Sequence, residues 1–104
     1  MSPQRVKYPP LPKEVEGPGG TLAIILTKET ITHERDECWG LYDSETRTIT
    51  LDARAKPRQR WLTFFHELTH VALIDAGLSN GINDDLHEAI CDAVATARMR
   101  ERFG

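Results

Sequence analysis

The sequence is short of several things, and each shortage closes off a class of protein. Cysteine is nearly absent: Cys38 and Cys91 are the only two in 104 residues. A small secreted scaffold stapled by disulfides needs more than one possible pair. Two distant thiols, with no apolar leader at the N-terminus, point to a reduced, cytoplasmic setting. Long apolar runs are also missing. Residues 22–26 are too few to span a bilayer, and the apolar stretch over residues 61–76 is broken by His66, Glu67, His70 and Asp75. No membrane association is expected. Positive charge is not in excess: 13 Lys and Arg stand against 16 Asp and Glu, a formal net charge of -3. That balance argues against a protein that coats nucleic acid, which would be basic. Proline is scarce beyond the N-terminus, since five of the six (Pro3, Pro9, Pro10, Pro12, Pro18) lie in the first 18 residues.

The proline cluster and the run Gly17-Pro18-Gly19-Gly20 mark residues 1–20 as an extended or loosely held arm. Proline removes backbone donors there, and glycine raises chain entropy. Residues 21–104 then make a single domain. A core that small gains from a staple such as a bound metal.

Within the domain, residues 21–28 (TLAIILTK) are β-branched and aliphatic and read as a strand. Residues 29–37 are polar and read as a loop. Residues 38–42 and 47–51 read as two short strands joined by the turn composition Asp43-Ser44-Glu45-Thr46. Alternation puts Ile49 and Leu51 on one face. A helix follows from Pro57, suited to a first turn, to about Ala76, with Gly77 placed to end it. Its apolar residues, among them Trp61, Leu62, Phe64, Phe65, Leu68, Val71 and Ile74, point in nearly every direction, the mark of a buried central helix. Trp39 and Trp61 are both expected in the core. A second helix is expected from Asp84 to Arg102, capped by Asn83 or Asp84. Strand, hairpin, helix, helix is an α+β order: about three strands with a hairpin, packed on the central helix and backed by the second.

The central helix carries His66-Glu67-Leu68-Thr69-His70, an HExxH pattern. At about 100° per residue, His66 and His70 stand about 40° apart and one turn along the axis. Both imidazoles can therefore reach one metal ion from the same side. Glu67 can approach a water at that ion as general base. Two imidazoles and a carboxylate that leave a fourth position open suit Zn2+.

A third ligand has to come from elsewhere. The second helix offers Asp84, Asp85, His87, Glu88, Cys91 and Asp92. Glu88 is the preferred choice, with Asp92 one turn on to accept a hydrogen bond from a ligand imidazole. His87 and Cys91, also spaced i,i+4, could instead close the site into a four-coordinate structural one. Glu88 and Asp92 sit opposite an apolar stripe of Ile90, Val94 and Ala97, while Ala95 and Met99 continue their own line.

Together, His66-Glu67-Leu68-Thr69-His70 and Glu88-Ala89-Ile90-Cys91-Asp92 resemble the gluzincin metallopeptidases, in which HExxH is followed by a helix bearing E-x-x-x-D. The chain looks most like the compact ImmA/IrrE-type metallopeptidases and their phage- and prophage-encoded relatives. Those families place a glycine-containing hairpin before the HExxH helix, as Trp39-Gly40-Leu41-Tyr42 and Ile49-Thr50-Leu51 do here. The resemblance covers roughly residues 21–98. It implies a minimal zincin-like fold and zinc-dependent cleavage of a protein or peptide substrate, regulatory in character by analogy. The Zn2+ ligands would be His66, His70 and Glu88.

Other residues are less specific. Tyr42, His33 and His87 are candidate donors to the oxygen of a reacting carbonyl. The strand over residues 21–28 could lie at a sheet edge and pair with an extended substrate. The basic runs Arg54, Lys56, Arg58, Arg60 and Arg98, Arg100, Arg102 read as solvated faces. Nothing in the sequence specifies an oligomeric state.

Overall fold

The computed structural model describes residues 7–104. Six strands and two helices follow in order: β1 (Glu14–Gly17), β2 (Gly20–Thr27), β3 (Ile31–His33), β4 (Asp36–Cys38), β5 (Gly40–Asp43), β6 (Thr48–Asp52), α1 (Pro57–Asp75) and α2 (Asp84–Phe103). The main sheet runs β1-β2-β6-β5, and β3 and β4 form a separate two-stranded hairpin. β2 and β6 are parallel, with Ile24 opposite Ile49, while β1 and β5 flank them antiparallel.

The sheet therefore has four strands where three were expected. The extra strand, β1, belongs to the proline-rich segment; residues 1–6 of that segment lie outside the described residues. Pro18 and Gly19 make a two-residue turn that folds Gly17 back onto Gly20. The polar stretch 29–37 is likewise a hairpin and not a loop. Ile31 anchors it by burying its side chain, and Glu34 and Arg35 turn it with positive φ at both positions, the conformation of a tight hairpin turn. β2 is interior, so residues 21–28 form a plain structural strand and not the edge they could have been; β1 and β5 are the edges.

One face of the sheet packs on the helices. Leu22, Ile49 and Leu51 are fully buried against Trp61, Phe64, Phe65 and Val71 of α1. Burying each such aliphatic side chain contributes about 1.5–3 kcal/mol relative to leaving it in water. Trp61 lies in this core as expected. Trp39 does not: it is half exposed, because the next residue, Gly40, is the one turned onto α1. Successive residues of an extended strand face opposite sides. Gly40 is required there, since a Cβ would stand 2.6 Å from Thr63 Cγ2.

α1 ends as its sequence suggests. Gly77 has φ +75°, and its N–H donates to the Ile74 carbonyl while the Leu78 N–H reaches Leu73. This pair of bonds satisfies carbonyls that the helix leaves free. A short loop reverses the chain into α2, whose cap is Asn83, accepting from the Leu86 N–H at 2.7 Å. α2 docks on α1 through Cys91, Ala95 and Met99, which repeat every four residues. At its far end Phe103 meets Trp61 and Tyr8 edge to face, and the Trp61 indole donates to the Pro9 carbonyl at 2.8 Å. The other end of α1 is clamped. Arg47 holds Asp75 with two bonds of 2.9 and 3.1 Å, and Asp75 also accepts from the Gly19 N–H.

Candidate metal centre

α1 presents His66, Glu67 and His70 toward the cleft between β5 and α2. The two imidazoles lie one turn apart, with their Nε2 atoms separated by 3.1 Å. α2 brings Glu88 to both: Oε1 is 2.9 Å from His70 Nε2, and Oε2 is 3.2 Å from His66 Nε2. The other ring nitrogen of His66 faces Asp92 Oδ1 at 2.9 Å. Two nitrogens and a carboxylate thus converge on one point. In a tetrahedral zinc site with bonds of about 2.0–2.1 Å, neighbouring ligand atoms stand about 3.3 Å apart. The observed 2.9–3.2 Å contacts fit that spacing.

The packing of α2 makes this geometry. Its buried line is Cys91, Ala95 and Met99, so Glu88, one turn before Cys91, faces α1. Val94, part of the stripe opposite Glu88, is instead 38% exposed. His87 continues the buried line toward His70, and their ring centroids are 4.7 Å apart. Its Nε2 is buried without a hydrogen-bond partner among the described residues. His70, His87 and Cys91 form a second donor group, with ligand atoms within 4.8 Å of one another.

Glu67 is buried and lines the cavities on both sides of it. One, of about 350 Å³, is bounded by Tyr42, His70, Glu88 and His33. The other, of about 300 Å³, is bounded by Trp39, Gln59, Thr63 and Asp92. Burial pushes the Glu67 carboxyl up to about 7, and Glu88 adds to the rise while His66 opposes it. Burial also lowers the pKa of His70, favouring the neutral form that a metal needs. Burial foremost, with the nearby carboxylates, raises the Cys91 thiol to about 12.

The three candidate carbonyl donors end up in different places. Tyr42 lines the larger cavity, and its hydroxyl is buried without a partner among the described residues. His33 lies at the exposed rim, 3.8 Å from Glu34. His87 stands behind His70, outside the residues lining either cavity. One neighbour was not anticipated: Cys38 lines both cavities beside Glu67. It had no sequence signal, because its place depends on how β4 leads into β5. Both cysteines are free thiols.

The sequence profile of the IrrE N-terminal-like domain family, a peptidase family, matches residues 25–103. The chain belongs to this family. No curated protein and no solved structure shows significant similarity to it. As an IrrE-like domain with an HExxH ligand cluster, it is a zinc metallopeptidase. No helix of this IrrE-like domain, among the described residues, is long and apolar enough to cross a membrane.

Proposed function

We propose that His66, His70 and Glu88 hold one zinc ion, and that Glu67 is the general base for hydrolysis of a peptide bond. The observation that carries this reading is the convergence of the three side chains at 2.9–3.2 Å. Zinc, when bound, supplies Lewis acidity that polarises a carbonyl and acidifies water. The other tasks fall to the chain. Glu67 takes a proton from the attacking water and returns it to the leaving amine. The water oxygen bonds to the carbonyl carbon, the C–N bond breaks, and the amine departs with the proton Glu67 carried. Asp92 accepts a hydrogen bond from the His66 Nδ1–H and so keeps the Nε2 lone pair turned to the ion. Tyr42, with its unpartnered hydroxyl in the same cavity, donates to the carbonyl oxygen as charge develops there.

β5 is the edge strand beside the site, and its outer backbone groups have no strand partner among the described residues. An extended protein or peptide substrate can add there as a further strand, which places its backbone along the cleft. A regulatory protein substrate, a phage or prophage source and a cytoplasmic setting are part of this proposal, supported by analogy with compact relatives.

The test is Glu67→Gln. The expected variant binds zinc like the wild type and loses about 10²–10⁴-fold in cleavage rate, the usual contribution of a positioned general base. Cleavage at the wild-type rate overturns the mechanism. Zinc-loaded wild type that cleaves no peptide would assign a metal-stabilised binding module instead.

A further inference from the structure

We propose that His70, His87 and Cys91 form a second metal site, one that takes soft, thiophilic cations of the cadmium and copper(I) class. Three observations meet at this point of the fold. The ligand atoms of the three side chains lie within 4.8 Å of one another. His87 and Cys91 are spaced i,i+4 on α2, so both project from the face docked on α1, where His70 meets them. The His87 Nε2 is buried with no hydrogen-bond partner among the described residues, a costly state that a bound cation relieves.

Donor chemistry separates this group from the first. Glu88 gives the zinc group a hard carboxylate oxygen, whereas Cys91 gives the second group a sulfur. Thiolate also holds zinc, but it favours soft ions over zinc more strongly than a carboxylate does. On binding, the Cys91 S–H bond breaks, a sulfur–metal bond forms, and the proton leaves to solvent. His70 belongs to both groups and cannot serve two metal cations at once as a neutral imidazole. A soft ion held by Cys91 and His87 therefore takes a ligand from the zinc group. Such an ion switches off hydrolysis without touching Glu67. The site itself does not depend on the peptidase reading, since its donors and its readout are its own.

The experiment is a titration of the metal-free full chain with Cd2+. It reads the ultraviolet thiolate-to-cadmium charge-transfer absorption, with affinity measured by chelator competition. The expected band saturates at a single equivalent, persists in Cys38→Ser and Glu88→Gln, and disappears in Cys91→Ala. No band in the wild type, or an undiminished band in Cys91→Ala, overturns the proposal. Cys91 is fully buried, so a second variant guards against a folding defect. His87→Ala, at a partly exposed position, is expected to keep its helix content by circular dichroism and to bind Cd2+ at least tenfold more weakly. Unchanged cadmium affinity in that variant also overturns the proposal. Glu88→Gln separates the two sites: it weakens zinc and leaves the cadmium band.

Discussion

Removing the Asp92 carboxylate tests whether the outer hydrogen bond of the site sets its hold on zinc. Asp92 Oδ1 lies 2.9 Å from His66 Nδ1, and its side chain is 73% exposed. Partners that orient a ligand imidazole typically contribute about 10–100-fold in metal affinity. Exposure argues for the lower end, because solvent screens the charge and exposed ion pairs contribute at most about 1 kcal/mol. The lost restraint on the His66 ring adds to this. Asp92→Ala should therefore weaken zinc about tenfold, or about 1.4 kcal/mol. Asp92→Asn keeps an oxygen acceptor and loses only the charge, so its loss should be nearer about threefold. Competition against a chromophoric chelator at neutral pH measures both. Thermal melts of the metal-free proteins supply the control. Alanine is a better helix former than aspartate, so the metal-free Asp92→Ala protein should melt no lower than the wild type. Zinc affinity within twofold of the wild type would refute the argument. So would a loss of metal-free stability as large as the loss of affinity, since Asp92 would then be structural.

Two further outcomes follow from the fold. Gly40→Ala sets a Cβ 2.6 Å from Thr63 Cγ2 and 2.8 Å from Leu51 Cδ2, both on buried residues. Overpacking of this kind costs about 1–3 kcal/mol, visible in a thermal melt, and wild-type melting of the variant would contradict the close approach of β5 to α1. Asp75 is held below the usual carboxylate range by the Arg47 guanidinium, with the Gly19 N–H assisting. A depressed pKa adds stability that is complete above the unfolded-state value of about 3.9 and is lost as pH falls through the folded value. The stability gap between wild type and Asp75→Asn in urea should therefore be constant near neutrality and close in acid; a gap that persists at the lowest pH would remove the ion pair as its source.

The site was legible where its chemistry is local. His66, Glu67 and His70 share one helix, and helical periodicity alone fixes their relation. Glu88 depends on which face of α2 meets α1, and the hydrophobic pattern points the wrong way. Ile90, Val94 and Ala97 form the more conspicuous stripe, yet the docked line is Cys91, Ala95 and Met99. Small side chains allow close helix packing while adding little to a hydrophobic pattern. The fold was legible to the same degree. β2, β6 and the two helices carry enough apolar residues to declare themselves. β1, β3 and β4 are three or four residues long and largely polar. They are strands because a partner segment offers them a ladder, and that partner is not visible in their own composition. Trp39 misled for a related reason: size suggested burial, but the pleat assigned the inward position to Gly40.

The arrival of Glu88 on a helix of its own has a thermodynamic consequence. In the proposed site, an ion held by two residues of α1 and one of α2 would bind fully only while the helices are docked. Its apparent dissociation constant is the intrinsic one divided by the docked fraction. Whatever raises that fraction tightens the site, however remote it is. Phe103 lies about 22 Å along α2 from Glu88 by helical rise, packed edge to face with Trp61 and with Tyr8 of the proline-rich segment. Tyr8, far from the proposed ligands, would thereby join in setting how firmly the ion is kept.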